Sequence, residues 1–588
     1  MTQKPSNRNI PIRNSIIIIL SFIGLALCIA VLFPHVRQMI MDYGEQIVQH
    51  ESATRQTWLR ALFSYALGGI VVILFFDYCT LTTSGRALVR DVKQEIKDGL
   101  SGIDFRSFLK PLIILSGVYL LGIFTIIRAN FLYLDDIGWA ISGVRNWYNF
   151  SRYVIVFLSY FVQPEISMTD ISPIPQLLAA VILACSSILF VYIFGNKKIT
   201  LVKLLASVPL GLSPYFLECL SYKFAAPYMA LPILASIIPF LLIEHKKAFF
   251  FTSVASMLIM CMTYQALSGV YPMIVVLLAF MDWNSRKKSI KEILSFMGLA
   301  AFAFGFSLLF FKFFLMRTSG DQEVQDYASV AMHPLPQLIP GLLHNLKMYA
   351  STLNQDLGLL WKIGIVLIFI LFILKSVQVS LQGKIRSFIV SVLVIVPAFV
   401  LSYGIYSLLK FPYFYPRGLV GFGVFLAILS IYVVTDYKKT AMIPVLALSW
   451  CFFVFAFSYG NALADQMRYA EFRISLLLQD LNSLQLNKDS EKPSIQFNNP
   501  IDFTPSVKNI AKQNPIIERL VPRRLGDFIL DDMYCLIYNN FNSYEINYRV
   551  VVKQNFIDFT TLNLPVVTDS YYHTIQSDGN HILITLKH

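Results

Sequence analysis

The sequence predicts a mainly α, polytopic helical membrane bundle that carries a small α/β domain at its C-terminal end. Three observations predict it. Charged residues make up 14% of the chain against 56% hydrophobic ones, and the mean hydropathy is +0.61. Soluble globular chains carry about a quarter charged residues, so most of this one is matched to lipid. Apolar runs of spanning length recur along most of the 588 residues. After residue 460 the composition turns polar, and alternating runs such as Tyr548–Val552 and Ile582–Leu586 have strand periodicity.

A helix needs about 20 apolar residues to cross the hydrocarbon core. By that measure thirteen spans are expected: 15–33, 60–80, 110–128, 173–194, 201–216, 225–243, 248–264, 266–281, 294–315, 359–375, 387–409, 418–435 and 440–459. A long helix plus a re-entrant piece would also account for 248–281. The first run follows Lys4, Arg8 and Arg13, as a signal peptide would. It lacks a small-x-small cleavage site, and Leu27 is too large for a lipoprotein box before Cys28, so it reads as an uncleaved helix.

Charge orients the bundle. Lys197-Lys198, Lys246-Lys247, Arg286-Lys287-Lys288 and Lys438-Lys439 fall in every second connection, while Asp135, Asp136, Glu218, Asp321 and Asp356 fall in the others. The positive-inside rule then predicts a cytoplasmic N-terminus and an extracytoplasmic C-terminal domain. The same clustering accounts for the net charge of +13 and argues against nucleic acid as a partner. The expected divisions are a hairpin and cytoplasmic surface segment at 1–109, a membrane core at 110–460 and a periplasmic domain at 461–588. Within the first, 81–109 reads either as a helix lying on the membrane surface or as a solvated linker.

Of seven cysteines, Cys28, Cys79, Cys185, Cys261 and Cys451 sit in apolar runs. Cys219 and Cys535 could pair, although their spacing does not require it. No Cys/His spacing indicates a metal. His333 and His344, eleven residues apart, read as surface histidines.

The segment following the third span, Leu132 to Tyr153, places Asp135 and Asp136 just beyond the membrane among aromatic residues. A carboxylate there can take a proton from a sugar hydroxyl. Adjacent side chains diverge by about 100° on a helix, so the two do not form a matched dyad. One is expected to act as base and the other to position a substrate or neighbouring group. The competing reading is a helix N-cap.

The motif D-D-x-G-W-x-x-S-G from Asp135, the S-R-Y around Arg152, the run Ser213–Phe224 and T-Y-Q-A at Thr263–Ala266 together resemble one family over about 110–460. It is the serotype-converting, phage-type O-antigen glucosyltransferases, the glucosyl-transferase-II group, with a GT-C-like architecture. The resemblance implies a hexosyltransferase of the bacterial inner membrane. It would move glucose from undecaprenyl-phosphate-glucose to an O-antigen sugar of lipopolysaccharide, at the periplasmic face and with inversion. It also implies a flippase and a donor-synthesising glucosyltransferase as partners.

A leaving phosphate needs donors aimed at it. Arg128, Arg145, Arg152, Lys223, Lys410 and Arg417 are the candidate cations, and the planar fork of arginine favours Arg152 and Arg417. Glu218, Tyr222 and Lys223, in a short turn, are expected to bind substrate, and Tyr264 and Gln265 to reach sugar hydroxyls. The alternatives are interfacial anchors for the cations, a local Glu–Lys pair for the turn and backbone satisfaction for Gln265. A single-phosphate leaving group lessens the need for a metal, so a divalent ion is an option without a motif. Competing functions are a GT-C transferase acting on protein or lipid A, a transporter or flippase for the same lipid-linked sugar, and a structural scaffold.

Overall fold

The computed structural model describes residues 68–316, 332–436, 438–484, 493–526, 549–550 and 557–587. The expected span 15–33, Asp321, Cys28 and Cys535 lie outside the described residues.

The chain enters as α1 (Gly68–Leu81), which turns by 89° into α2 (Thr83–Ser101). Thr82 caps α2 by accepting the Gly85 N–H at 2.9 Å. The charged stretch after residue 81 is therefore helical. It is fastened by Lys247 to Asp91 at 2.6 Å and by Glu95, which accepts the Ala248 N–H at 2.8 Å.

The bundle continues through α3 (Leu109–Ala129), two short helices α4 (Asp135–Ser142) and α5 (Tyr153–Val162), and α6 (Ile174–Phe194). Next, α7 (Leu201–Leu212) bends by 63° at Ser213 into α8 (Pro214–Ser221). There follow α9 (Ala226–Ile237), α10 (Lys246–Cys261), α11 (Val270–Asn284) and α12 (Ile290–Phe310). The second half holds α13 (Leu338–Asp356), α14 (Leu359–Gln378), α15 (Lys384–Ser402), α16 (Gly421–Val434) and α17 (Met442–Ser483).

Among the described residues, seven helices are long and apolar enough to cross a membrane, or nine if each bent pair is one span. The count of thirteen is not confirmed among the described residues, where several expected spans are short helices. The stretch 225–243 forms one short apolar helix, Ala226–Leu242, which carries Pro232 inside its α-helical part and tightens to 3-10 geometry from Ile238, next to Pro239. Helix α10 has 16 residues and α16 only 14. Every residue of α16 is buried, so this short helix is the bundle's centre rather than a lipid-facing member. By contrast α14 and α15 expose Leu359, Ile363, Phe388 and Leu393 along their outer faces.

Helix α17 crosses α3 at Gly460, where a Cβ would come within 2.4 Å of Thr125 Oγ1. Small residues permit such approach between apolar helices. Continuing past residue 460, α17 becomes the support of the C-terminal sheet. Its Ala470, Ile474, Leu477 and Leu481 pack against Ile495, Phe497, Ile575, Ile582 and Ile584. The sheet comprises β1 (Ser494–Asn498), β2 (Arg549–Val550), β3 (Val566–Asp569), β4 (His573–Ser577) and β5 (His581–Leu586), in the order β2-β1-β5-β4-β3. Strand β1 is parallel to both neighbours, while β3, β4 and β5 run antiparallel. Between β1 and β2, α18 (Pro505–Ala511) and α19 (Ile517–Leu520) return to the bundle. Val507, Ile516, Ile517, Leu520 and Val521 join the same apolar core as α3, α8 and α16.

Candidate functional site

Helix α3 ends at Asn130 in a left-handed conformation (φ 51°). The chain then passes through Leu134 at φ 44°, a conformation costly for a leucine, before α4 begins. Asp135 and Asp136 occupy the first turn of α4, where the helix dipole favours negative charge.

The two carboxylates have different environments. Asp136 is fully buried and accepts three backbone N–H groups, from Tyr133 at 3.2 Å, Lys223 at 2.8 Å and Phe224 at 3.3 Å. It joins the turn before α4 to the turn between α8 and α9. Burial pushes its carboxyl well above the usual carboxylate range, against those three donors. Asp135 is half-buried, and its charge is felt by both Asp136 and Glu218.

Glu218, on α8, is buried against Arg417, which precedes α16. The Arg417 N–H donates to Glu218 Oε2 at 2.6 Å, and Arg417 Nη1 lies 3.7 Å from Oε1. Arg417 Nε donates to the Tyr413 hydroxyl at 2.8 Å, and the Arg417 carbonyl accepts the Tyr264 hydroxyl at 2.9 Å. The Arg417 guanidinium also lies 5.5 Å from the Tyr222 ring centre. Tyr222 packs edge-on to Tyr133 at 5.1 Å, and its buried hydroxyl has no hydrogen-bond partner among the described residues.

Glu218, Tyr222 and Arg417 are thus brought together, with Tyr264 behind Arg417 and Asp135 near enough for its charge to act on Glu218. Arg152 stands beside this group through Tyr264, its guanidinium 5.7 Å from that ring and 5.3 Å from Phe150. The other expected residues are used differently. Lys223 Nζ donates to Asn130 Oδ1 at 2.6 Å and Asp170 Oδ2 at 2.7 Å, with only 3% of its side chain exposed. Burial opposes ionisation of Asp170, but donors from Lys223 and Ser172 outweigh it and hold the carboxyl below its usual range. Gln265 Nε2 donates to the Cys261 carbonyl at 3.0 Å, satisfying a helix end. Arg145 is enclosed by the Ser159 hydroxyl and the Gln163 and Ile166 carbonyls, Arg128 donates to Asn461, and Lys410 is exposed.

Several neighbours carried no local signal. Asp356 accepts the Tyr215 hydroxyl at 3.2 Å and pairs with Arg519, which also donates to the Phe414 carbonyl. Burial raises the Asp356 carboxyl against the pull of Arg519. The Leu520 carbonyl accepts the Tyr133 hydroxyl at 2.8 Å and the Tyr459 hydroxyl at 3.4 Å. Among the described residues no group of three or more His, Cys, Asp or Glu side chains could hold a metal, and Cys219 is a buried free thiol.

The model of one sequence family, glucosyl transferase GtrII, matches residues 124–434, over half of the chain. The chain belongs to the GtrII family. Its GtrII region holds Asp135, Glu218, Tyr222 and Arg417, whereas Tyr459, Arg519 and Leu520 lie beyond it. The chain is also similar to an uncharacterized 55.3 kDa protein encoded in the gtrB 5′ region of Salmonella phage P22. The two are 25% identical over 460 residues, 74% of this chain and 91% of the phage protein. No solved structure matches the chain.

Proposed function

We propose that this GtrII protein transfers glucose from undecaprenyl-phosphate-glucose to an O-antigen sugar at the periplasmic face of the bacterial inner membrane, as in serotype conversion. The observation that carries the reading is the half-buried Asp135 beside the buried Glu218–Arg417 pair at one end of the bundle. Asp135 is the base, since the three N–H groups on Asp136 occupy that carboxylate. Asp135 takes the proton from the acceptor hydroxyl, and the freed oxygen attacks the anomeric carbon. The bond from that carbon to the phosphate oxygen breaks, and its electron pair leaves with the lipid phosphate. Arg417, partly neutralised and aimed by Glu218, and Arg152 above Tyr264 are the cations for that developing charge. Tyr222 presents its hydroxyl to a sugar. No step is drawn through a metal.

In this reading the N-terminus is cytoplasmic, residues 110–460 are the catalytic membrane core, and 461–588 is periplasmic. The distribution of charge supports it. Lys203, Lys288 and Lys375 gather at the end of the bundle opposite Asp135, as positive-inside topology requires. A flippase and a donor-synthesising glucosyltransferase supply the lipid-linked sugar.

The test is glucosylation of O-antigen in cells that make the donor, comparing the wild-type protein with Asp135→Asn at matched membrane levels. Loss of glucose from the polysaccharide is expected with Asp135→Asn. Full modification by that variant, or labelling that puts residue 135 in the cytoplasm, would sink the reading.

A further inference from the structure

Residues 513–521 lie outside the GtrII match, yet they reach the candidate site. The Ile516 N–H donates to the Asp356 carbonyl at 3.2 Å, and the Leu520 carbonyl receives hydroxyls from Tyr133 and Tyr459. Ile516, Ile517, Leu520 and Val521 are all fully buried. A Cβ on Gly358 would come within 2.3 Å of the Gln513 carbonyl oxygen, so the turn between α13 and α14 is fitted to this segment. These contacts make residues 513–521 part of the bundle's packing rather than an appended tail.

Within the segment, Arg519 bridges two elements. One arm of its guanidinium meets Asp356 at the end of α13, and the other donates to the Phe414 carbonyl. Phe414 lies three residues before Arg417, in a turn also tied by Tyr413 to Arg417 Nε, Tyr264 to the Arg417 carbonyl, Tyr403 to the Tyr413 carbonyl and the Arg417 N–H to Glu218. The planar fork allows one cation to hold a carboxylate and a carbonyl at fixed separation, which an ammonium cannot copy. The charge of Arg519 also reaches Glu218.

We propose that Arg519 is a positioning residue for Arg417. It fastens the Tyr413–Arg417 turn to Asp356 and so determines where the Arg417 guanidinium stands beside Glu218. The catalytic consequence rests on the glucosyl-transfer reading; the positioning itself does not.

The experiment uses the full chain in membrane vesicles supplied with undecaprenyl-phosphate-glucose and O-antigen lipopolysaccharide. Arg519→Ala should lower kcat about 100-fold, the scale of a misplaced catalytic group, with KM for the acceptor little changed. In the Arg417→Ala background it should cause no further loss, because the two act through one group. Arg519→Lys should recover part of the rate. A second readout needs no activity: trypsin should cut after Arg417 in Arg519→Ala and more slowly in Arg519→Lys, while the buried bond stays intact in the wild type. Should Arg519→Ala fail to insert, Arg519→Gln carries the same two measurements, with a smaller loss and slower cutting expected. A turn that stays protected without the guanidinium, or losses that multiply in the double variant, overturns the proposal. If the wild type moves no glucose but the trypsin pattern holds, the transfer reading falls and the positioning stands.

Discussion

The two ends of the helical bundle both bury charge, but they neutralise it in different ways. At the end holding Lys203 and Lys375, the buried ammonium groups donate to backbone carbonyls that close helices. Lys203 serves Gly195 and Lys198, and Lys375 serves Tyr432 and Thr435. Such groups satisfy helix termini, with the Asp436 carboxylate near both. At the other end, side-chain charges meet across long stretches of chain: Glu218 with Arg417, Asp356 with Arg519 and Lys223 with Asp170. Among the described residues the pairs Glu218–Arg417 and Asp356–Arg519 each bury their carboxylate, whereas the ion pairs of the first end, Lys247–Asp91 and Lys288 with Glu244 and Asp282, are part-exposed or exposed. The contrast separates buried charge that finishes helix ends from buried charge that joins distant segments at the candidate site.

The strongest way to break this contrast is at Asp135. Asp135→Asn should cut glucose transfer about 100- to 10,000-fold, the range for loss of a general base, with the protein's membrane level unchanged. Sugar analysis of the O-antigen reads the outcome. Next in size is Arg417→Lys, which keeps the charge but loses the fork. A loss of about 10- to 100-fold in kcat, on the scale of a misplaced group, is expected in a vesicle assay, and wild-type rates would remove Arg417 from the phosphate's path.

The opposite end should respond in stability rather than rate. Lys375→Met leaves the Tyr432 and Thr435 carbonyls without their donor, at a cost of about 1–3 kcal/mol. Thermal unfolding in detergent should fall while transfer per folded molecule is kept. A large drop in specific activity would show that the two ends are coupled.

The smallest effect concerns pH. Asp170 is held below its usual carboxylate range chiefly by its donors, burial notwithstanding. Its contribution to stability is therefore complete above the unfolded value of about 3.9 and fades as pH falls through the lower folded value. Acid unfolding of Asp170→Asn should lack this component, and identical curves for variant and wild type would show that the Lys223 contact contributes nothing.

Much of the helical bundle was legible because apolar length is a local property. The departures were also local in origin: α9 gives way to a 3-10 turn after Ile237, and α16 is too short to span as a straight helix yet buried on all sides. For the site, the Asp135-Asp136 pair was visible as chemistry, but the two residues are identical in type and adjacent in sequence. Only folding turned Asp136 toward the N–H groups of Lys223 and Phe224, more than eighty residues away. Gln265, by contrast, bonds the Cys261 carbonyl only four residues before it, a contact of local helix geometry.

Composition, run length and the alternation of basic clusters by themselves determined that this chain is a membrane bundle with a polar C-terminal region, because lipid acts on each segment independently. The tertiary structure alone decided which of two aspartates stays available, and that Arg519 stands against Asp356 and Phe414. Those outcomes depend on residues separated by tens to hundreds of positions, and a buried charge is tolerated only where the fold brings its partner.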